Sequence, residues 1–217
     1  MLETLKFGKG NWANKTDSTL AYSDQYGNFQ AIPFDFTRAT TATRVNKQGL
    51  IESVNDGIAR IDYSDSTQGA LLLEPQSTNL ITYSEDFSNS SWTKLNGATV
   101  TADTIISPDG TLNADSFTFT TSPTDKVQKV VTVAPSVKYT VSCYIKSDSN
   151  ITIKMGGATA ASPINVTTEW VRHTITQTNS ATTTAYPQIT SNGTAGTVYI
   201  YGFQLEQQSY ATSYIPT

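Results

Sequence analysis

Residues 69–92, GALLLEPQSTNLITYSEDFSNSSW, separate two segments of different character. The leucine run 71–73 is closed by Glu74 and Pro75, and proline lacks the backbone N–H that a central strand needs. A polar corner, QSTN, and a second short apolar run, LITY, follow it. Because the patterns on the two sides differ, we place a domain boundary here, with domains at 1–78 and 79–217.

The composition favours strands over helices. Charged residues make up 15% of the 217-residue chain, below the usual quarter, and Thr, Ser and Asn take their place. Thr is restricted at χ1, and Ser and Asn compete with helical hydrogen bonds. The net charge of −4 argues against nucleic-acid binding, which requires neutralisation of phosphates. We expect no membrane insertion, because no run approaches the roughly 20 apolar residues of a membrane span.

The first segment is predicted to contain an extended arm and short hairpins. Residues 1–29 carry scattered aromatics without a period, which indicates an arm with one strand. The turns NKQG (46–49) and NDG (55–57) then separate short apolar strands, and a Gly that closes a tight loop is typical of hairpins. The resulting meander has a small core, and domains with small cores are only marginally stable by themselves. We expect it to pack on the second domain or on other copies of the chain.

The second segment alternates as strands do. Residues 139–146 are the clearest case, with Tyr, Val, Cys and Ile on one face. Similar patterns predict further strands at 98–106, 116–120, 127–133, 151–155, 169–176, 186–190 and 197–205. The tail, 210–216, is expected to close the sandwich. The sequence therefore predicts an all-β protein, in which an N-terminal arm and small β-meander precede a jelly-roll β-sandwich.

Three stretches resemble proteins of tailed phages. FTRATTATRVN (36–46) resembles an N-terminal attachment module of phage fibre and spike proteins, and residues 69–92 resemble the junction that follows it. VYIYGFQLE (198–206) and residues 210–216 resemble the last strand and tail of their carbohydrate-binding-module-like jelly roll. The resemblance implies a virion protein of the head or tail (a fibre, spike or decoration protein), usually trimeric and made in the bacterial cytoplasm. It also suggests sugar binding.

Two functions are therefore predicted. In the first, a virion structural protein assembles through its N-terminal part with sibling chains, as a homotrimer, and with other virion proteins. Its jelly roll faces outward, for adhesion to host-surface glycan. In the second, the chain is the carbohydrate-binding module of a larger glycan-acting or adhesin protein.

No set of residues indicates catalysis. The single histidine, His173, lies on a predicted strand beside Trp170 and Arg172 and is interpreted as structural. Glu85 and Asp86 are adjacent, so a strand would point them to opposite faces. Glycoside hydrolysis instead needs two carboxylates on either side of a cleft. We expect that the protein is not an enzyme.

Part of a calcium site is predicted. Jelly-roll carbohydrate modules often carry a structural calcium near their first and last strands, and Glu85, Asp86 and Gln204 occupy the comparable regions. Calcium takes about six to eight oxygens, carbonyls included, so these three would supply only some of its ligands. The alternative is that they are solvated side chains at a domain join. No other cofactor is expected.

Aromatic and polar side chains on the predicted strands are the candidates for a sugar site. Sugars stack on flat aromatic rings, with amides and charged groups around the rim. The candidates are Tyr144, Trp170, Arg172, Tyr186, Gln188 and Tyr199. Half of such positions face the core in any sandwich, and Tyr and Trp are also favoured at subunit contacts. The sequence leaves these alternatives open.

Overall fold

The computed structural model describes residues 36–217 and, before them, only the backbone of three short strands. These strands pair antiparallel in the order β1-β2-β3 and are β1 (Trp12–Asn14), β2 (Leu20–Ser23) and β3 (Phe29–Ile32). The sequence predicts one strand in this arm, whereas two lie within it and a third begins at its last residue, Phe29, because such short strands show no clear alternation. The rest of the predicted arm lies outside the described residues.

The protein is all-β, which confirms the predicted fold class. Residues 36–217 contain strands, turns and irregular segments but no helix, so none of them could cross a membrane as a helix. The chain divides into two compact units, Met1–Pro75 and Gln76–Thr217. The first is made of small sheets, and the second is a β-sandwich.

The described part of the first unit contains two hairpin-like pairs. Their strands are β4 (Ala42–Val45), β5 (Ile51–Val54), β6 (Ile61–Asp62) and β7 (Ala70–Leu71). Between β4 and β5, the Asn46 N–H donates to the Leu50 carbonyl at 2.8 Å. Gly49 has a φ of 83°, a left-handed conformation that favours glycine. The predicted hairpin turn at 46–49 is therefore present.

A buried ion pair supports the small core of this unit. Arg60 is only 5% exposed, and its Nη1 lies 2.8 Å from the Glu74 carboxylate. The same nitrogen donates to the Thr43 carbonyl at 3.0 Å. Alternation along residues 58–63 predicts only that Arg60 and Asp62 share a face, and it gives no sign of this burial.

The second unit consists of two five-stranded sheets and one two-stranded pair. The strands of one sheet are β9 (Thr99–Ile106), β10 (Leu112–Phe119), β13 (Lys138–Ser147), β16 (Val171–Thr178) and β19 (Gly196–Glu206). Those of the other are β8 (Thr93–Leu95), β11 (Lys126–Gln128), β14 (Ile151–Gly156), β15 (Ser162–Val166) and β18 (Gln188–Ser191). The pair is β12 (Val131–Thr132) with β17 (Thr184–Ala185).

The strand orders are β16-β13-β19-β10-β9 in the first sheet and β15-β14-β18-β11-β8 in the second. We call the first the tail-covered sheet and the second the open sheet. Their inner faces share one apolar core, to which β13 contributes Val141, Cys143 and Ile145 and β14 contributes Ile153 and Met155. The alternation predicted for both strands is therefore present.

The C-terminal tail, residues 207–217, lies across the outer face of the tail-covered sheet. The Gln204 side chain is fully buried there; its Oε1 accepts the Ile215 N–H at 2.7 Å and its Nε2 donates to the Ser213 carbonyl at 3.3 Å. The Tyr214 ring lies against Gly202, which has a φ of 66° and where a Cβ would come within 3.0 Å of the ring. The outer side chains of the open sheet are instead partly or fully exposed, except at Gly156 and Thr190.

Candidate functional site

The six predicted ligand residues do not form one site. Tyr144, Arg172 and Tyr199 lie on the outer side of the tail-covered sheet, and Trp170 immediately precedes β16. Gln188 begins β18 of the open sheet, and Tyr186 lies two residues before it. Because the two sheets enclose the core, the two groups are on opposite sides of the sandwich.

Within the first group, Arg172 bonds to the tail and covers Tyr144. The Arg172 guanidinium lies over the Tyr144 ring, 5.5 Å from its centroid. Its Nη1 donates to the Thr212 carbonyl at 2.6 Å, and its Nη2 donates to Ser142 Oγ at 2.9 Å. These contacts account for Tyr144 and Arg172 without a ligand.

Trp170 and Tyr199 also have partners within the protein. Trp170 Nε1 donates to the Ile106 carbonyl at 3.2 Å. The Tyr199 hydroxyl donates to Asp148 Oδ2 at 3.0 Å, and this hydrogen bond raises the pKa of the phenol. Both side chains retain some exposure, but their polar atoms are already paired.

The open sheet aligns polar side chains in two rows on its outer face. Antiparallel pairing joins β11 to β18 and β18 to β14. The rows that result, read from β11 to β14, are Gln128–Gln188–Gly156 and Lys126–Thr190–Lys154. Neighbouring strands are about 4.8 Å apart, so each row places groups at regular intervals across the sheet.

Most of these groups are free to bind a ligand. The side chains of Lys126, Gln128 and Lys154 are partly exposed and have no hydrogen bond or ion pair with any described residue. Gln188 accepts a hydrogen bond from Thr190 Oγ1 at 3.1 Å, and its amide NH₂ is unpaired. This face therefore offers both donors and acceptors at close spacing.

An exposed aromatic ring lies at one end of this face. Tyr186 is 47% exposed and Val130 is 59% exposed. The Lys129 N–H donates to the Pro187 carbonyl at 2.9 Å, which continues the β11–β18 pairing and sets Val130 opposite Tyr186. We call the two rows and this apolar end the open face; it comprises Lys126, Gln128, Val130, Lys154, Gly156, Tyr186, Gln188 and Thr190.

Of the residues on the open face, Tyr186 and Gln188 are among the candidates predicted from the sequence, whereas Lys126, Gln128 and Lys154 are not. The signal for them was present, because lysine and glutamine alternate with Val127, Ile153 and Met155 along two predicted strands. To group these side chains with Gln188 on one surface, however, one must know that β11 and β14 both flank β18. That pairing joins residues distant in the sequence.

Two of the calcium candidates line an acidic pocket of about 290 Å³. Its carboxylates belong to Glu85, Asp86, Asp103 and Asp115. Both Asp115 oxygens accept backbone N–H groups, from Phe87 at 2.9 Å and from Asp103 at 3.0 Å, and burial raises the pKa of Asp115. Asp86 accepts from Ser88 Oγ at 2.7 Å, a bond that lowers its pKa.

These oxygens are arranged for internal hydrogen bonds. Glu85 Oε1 accepts the Tyr214 hydroxyl at 2.8 Å, and the Gln204 amide is engaged at both ends by the tail. Within residues 36–217, no group of three or more His, Cys, Asp or Glu side chains is arranged to hold a metal ion. A calcium ion bound by Glu85, Asp86 and Gln204 stays a prediction.

His173 lies on β16, in register with Cys143 of β13. Burial lowers the pKa of the imidazole, and its Nε2 has no hydrogen-bond partner. Cys143 is fully buried, and burial raises the pKa of its thiol. A buried thiol and an edge-strand imidazole are not an activated nucleophile and base.

Comparison with known proteins supports the fold. No protein-family model matches the sequence, and no curated protein matches it. Among solved structures, the CBM22-1 xylan-binding domain of Paenibacillus barcinonensis Xyn10C is similar over 64% of this chain and 100% of that one, with 16% identity and a TM-score of 0.51. This likeness shows the fold alone, a β-sandwich of the predicted jelly-roll type.

Two further structures are more distant. TmCBM61, solved with β-1,4-galactotriose, is similar over 61% of this chain and 100% of that one, with 14% identity and a TM-score of 0.44. The enzymatically active domain of tailspike protein 4 of bacteriophage CBA120 covers 58% of this chain and 21% of that one, with 11% identity and a TM-score of 0.42. Both are too distant to carry an argument.

Proposed function

We propose that the sandwich, residues 76–217, binds carbohydrate through the open face and does so without catalysis. One observation carries the proposal: Gln128 and Gln188 lie side by side with unpaired amide NH₂ groups, next to the exposed ring of Tyr186. The similarity of the fold to carbohydrate-binding modules supports this choice of ligand class but does not identify the sugar.

The chemistry of the open face suits hydroxyl groups. A sugar hydroxyl is both a donor and an acceptor, and a primary amide offers two donors and one accepting oxygen. Gln128 and Gln188 can therefore each hold a pair of adjacent hydroxyls. The Tyr186 ring with Val130 provides a flat apolar surface for the C–H face of a sugar, which adds burial to directed hydrogen bonds.

Removing the amides is expected to weaken binding. We predict that Gln128→Ala combined with Gln188→Ala lowers affinity for a bound glycan about tenfold or more, because two hydrogen bonds are lost. Tyr186→Ala should lower it about tenfold. The measurement is affinity electrophoresis of the full chain through gels that contain xylan, galactan or polygalacturonate.

Tyr199→Ala is the matched control, because Tyr199 is a partly exposed tyrosine on the opposite sheet. It should migrate as the unsubstituted chain does in every gel. If Tyr199→Ala abolished retardation and Tyr186→Ala did not, the binding face would have been assigned to the wrong sheet.

A second candidate function is structural, as a protein of a phage virion. The observation that favours it is apolar exposure on the first unit, where Leu50, Ile58 and Leu73 are 38%, 40% and 64% exposed. Among its residues from 36 onward, one buried apolar cluster consists of Ala59 and Ile61, and so small a cluster gains from burial between identical copies. In this proposal the first unit forms a homotrimer within the virion, attached to other virion proteins, and the open face meets host-surface glycan.

Sedimentation equilibrium at micromolar concentration tests this second candidate. We expect a trimer, and we expect Leu73→Glu to shift it toward monomer, because a charge would replace an exposed leucine that the proposed trimer buries. Ile106→Glu is the control, since Ile106 is 60% exposed on the other unit, and it should leave the trimer intact. A stable monomer of the unsubstituted chain would contradict the structural role.

A further inference from the structure

The charges on the open face are of one sign. Lys126 and Lys154 lie in one row, on either side of Thr190. The other outward positions of β11, β14 and β18 carry Gln, Thr and Gly, so no carboxylate lies on these three strands beside the lysines. Two strand spacings separate the lysine backbones, which corresponds to about 10 Å.

This row is positively charged although the chain as a whole is acidic. The net charge is −4, and two basic side chains of the first unit are paired with carboxylates, Arg44 with Glu52 and Arg60 with Glu74. Lys126 and Lys154 have no such partner among the described residues. A local positive row on an acidic protein attracts anions selectively, because opposite charges raise the local concentration of a ligand.

We infer that the glycan bound by the open face is acidic, a polysaccharide whose sugar units carry carboxylate groups. The inference rests on the proposed function and adds the ligand class to it. Lys126 and Lys154 each donate a charge-assisted hydrogen bond to a carboxylate. Gln128 and Gln188, in the neighbouring row, bind the hydroxyls of the same chain of sugars.

The test compares two forms of one polymer. Polygalacturonate and fully methyl-esterified polygalacturonate share a backbone and differ in the charge of each unit. We expect the full chain to bind the charged form at least tenfold more tightly at low salt, and this preference should shrink as salt rises. The substitutions Lys126→Gln and Lys154→Gln together should abolish the preference, with a loss of about tenfold for each lysine.

Three controls separate charge from structure. Lys138→Gln removes an exposed lysine of the tail-covered sheet and should change nothing. The melting temperature of the double variant should match that of the unsubstituted chain, because neither lysine has a partner in the fold. Polyglutamate, an anionic polymer without sugar, should bind weakly.

The possible results distinguish the two proposals. Equal affinity for the two polymers, or a double variant that retains the preference, overturns the acidic-glycan inference and leaves sugar binding intact. Equal binding of polyglutamate and polygalacturonate overturns it as well, since charge alone would then suffice. If the chain bound none of these polymers nor xylan nor galactan, the proposed function would fall with the inference.

Discussion

Replacing Trp92 by alanine should destabilise the sandwich by about 3–5 kcal/mol, the usual cost of removing a buried Trp. Trp92 is 1% exposed, and its ring centroid lies 4.9 Å from that of Phe87 and 5.4 Å from that of Phe203. Its Nε1 donates to the Tyr83 carbonyl at 3.0 Å. The substitution would leave both a cavity and an unpaired carbonyl.

Denaturation in urea, followed by circular dichroism, measures this loss. Trp170→Ala is the matched control, because Trp170 is partly exposed and a single hydrogen bond fixes its indole. We expect the control to cost clearly less. Equal losses in the two variants would show that the cluster around Trp92 is not the centre of the core.

Asn79→Ala should cost about 2–4 kcal/mol, because two buried N–H groups would lose their acceptor. Asn79 Oδ1 accepts from the Ile81 and Leu205 backbones, both at 3.0 Å. Its Nδ2 donates to the carbonyls of Phe203 at 3.2 Å and Ile215 at 3.0 Å. One side chain thus joins the start of the sandwich, its last strand and the tail.

The same urea experiment tests the contribution of the Asn79 hydrogen bonds to stability. Asn165→Ala is the control, since Asn165 is exposed and accepts one hydrogen bond, from Thr152 Oγ1 at 2.9 Å. It should change stability by less than about 1 kcal/mol. Hydrogen exchange adds a second readout, because amides near Leu205 and Ile215 should lose protection only in Asn79→Ala. Unchanged protection there would contradict the claim that Asn79 connects the last strand and the tail to the start of the sandwich.

The strands of the sandwich were largely predictable from alternation. Residues 139–146 and 151–155 show the period of two clearly, because each strand has one face in the core. The strand β15, Ser162–Val166, was missed because it contains Pro163, which argues against a central strand. The structure resolves this conflict, since β15 is the edge strand of the open sheet.

The candidate site was less predictable. Alternation correctly turns Tyr144 away from the core, but it cannot reveal that Arg172 and the tail cover that side. For the same reason, alternation does not show that Gln128 and Lys154 lie on one face with Gln188. That follows only from the sheet order, in which β11 and β14 flank β18. Alternation within one strand separates its inward side chains from its outward ones. Only the order of the strands in the sheet decides which outward side chains become neighbours.

The central claim is that sugar binds the open face. Its most direct test is backbone NMR of the full chain, titrated with oligosaccharides of galacturonate, xylose and galactose. If sugar binds there, the shifted amides should cluster at 126–130, 154–156 and 186–190. Shifts confined to the surroundings of Tyr144, Arg172 and Tyr199 on the opposite sheet would contradict it.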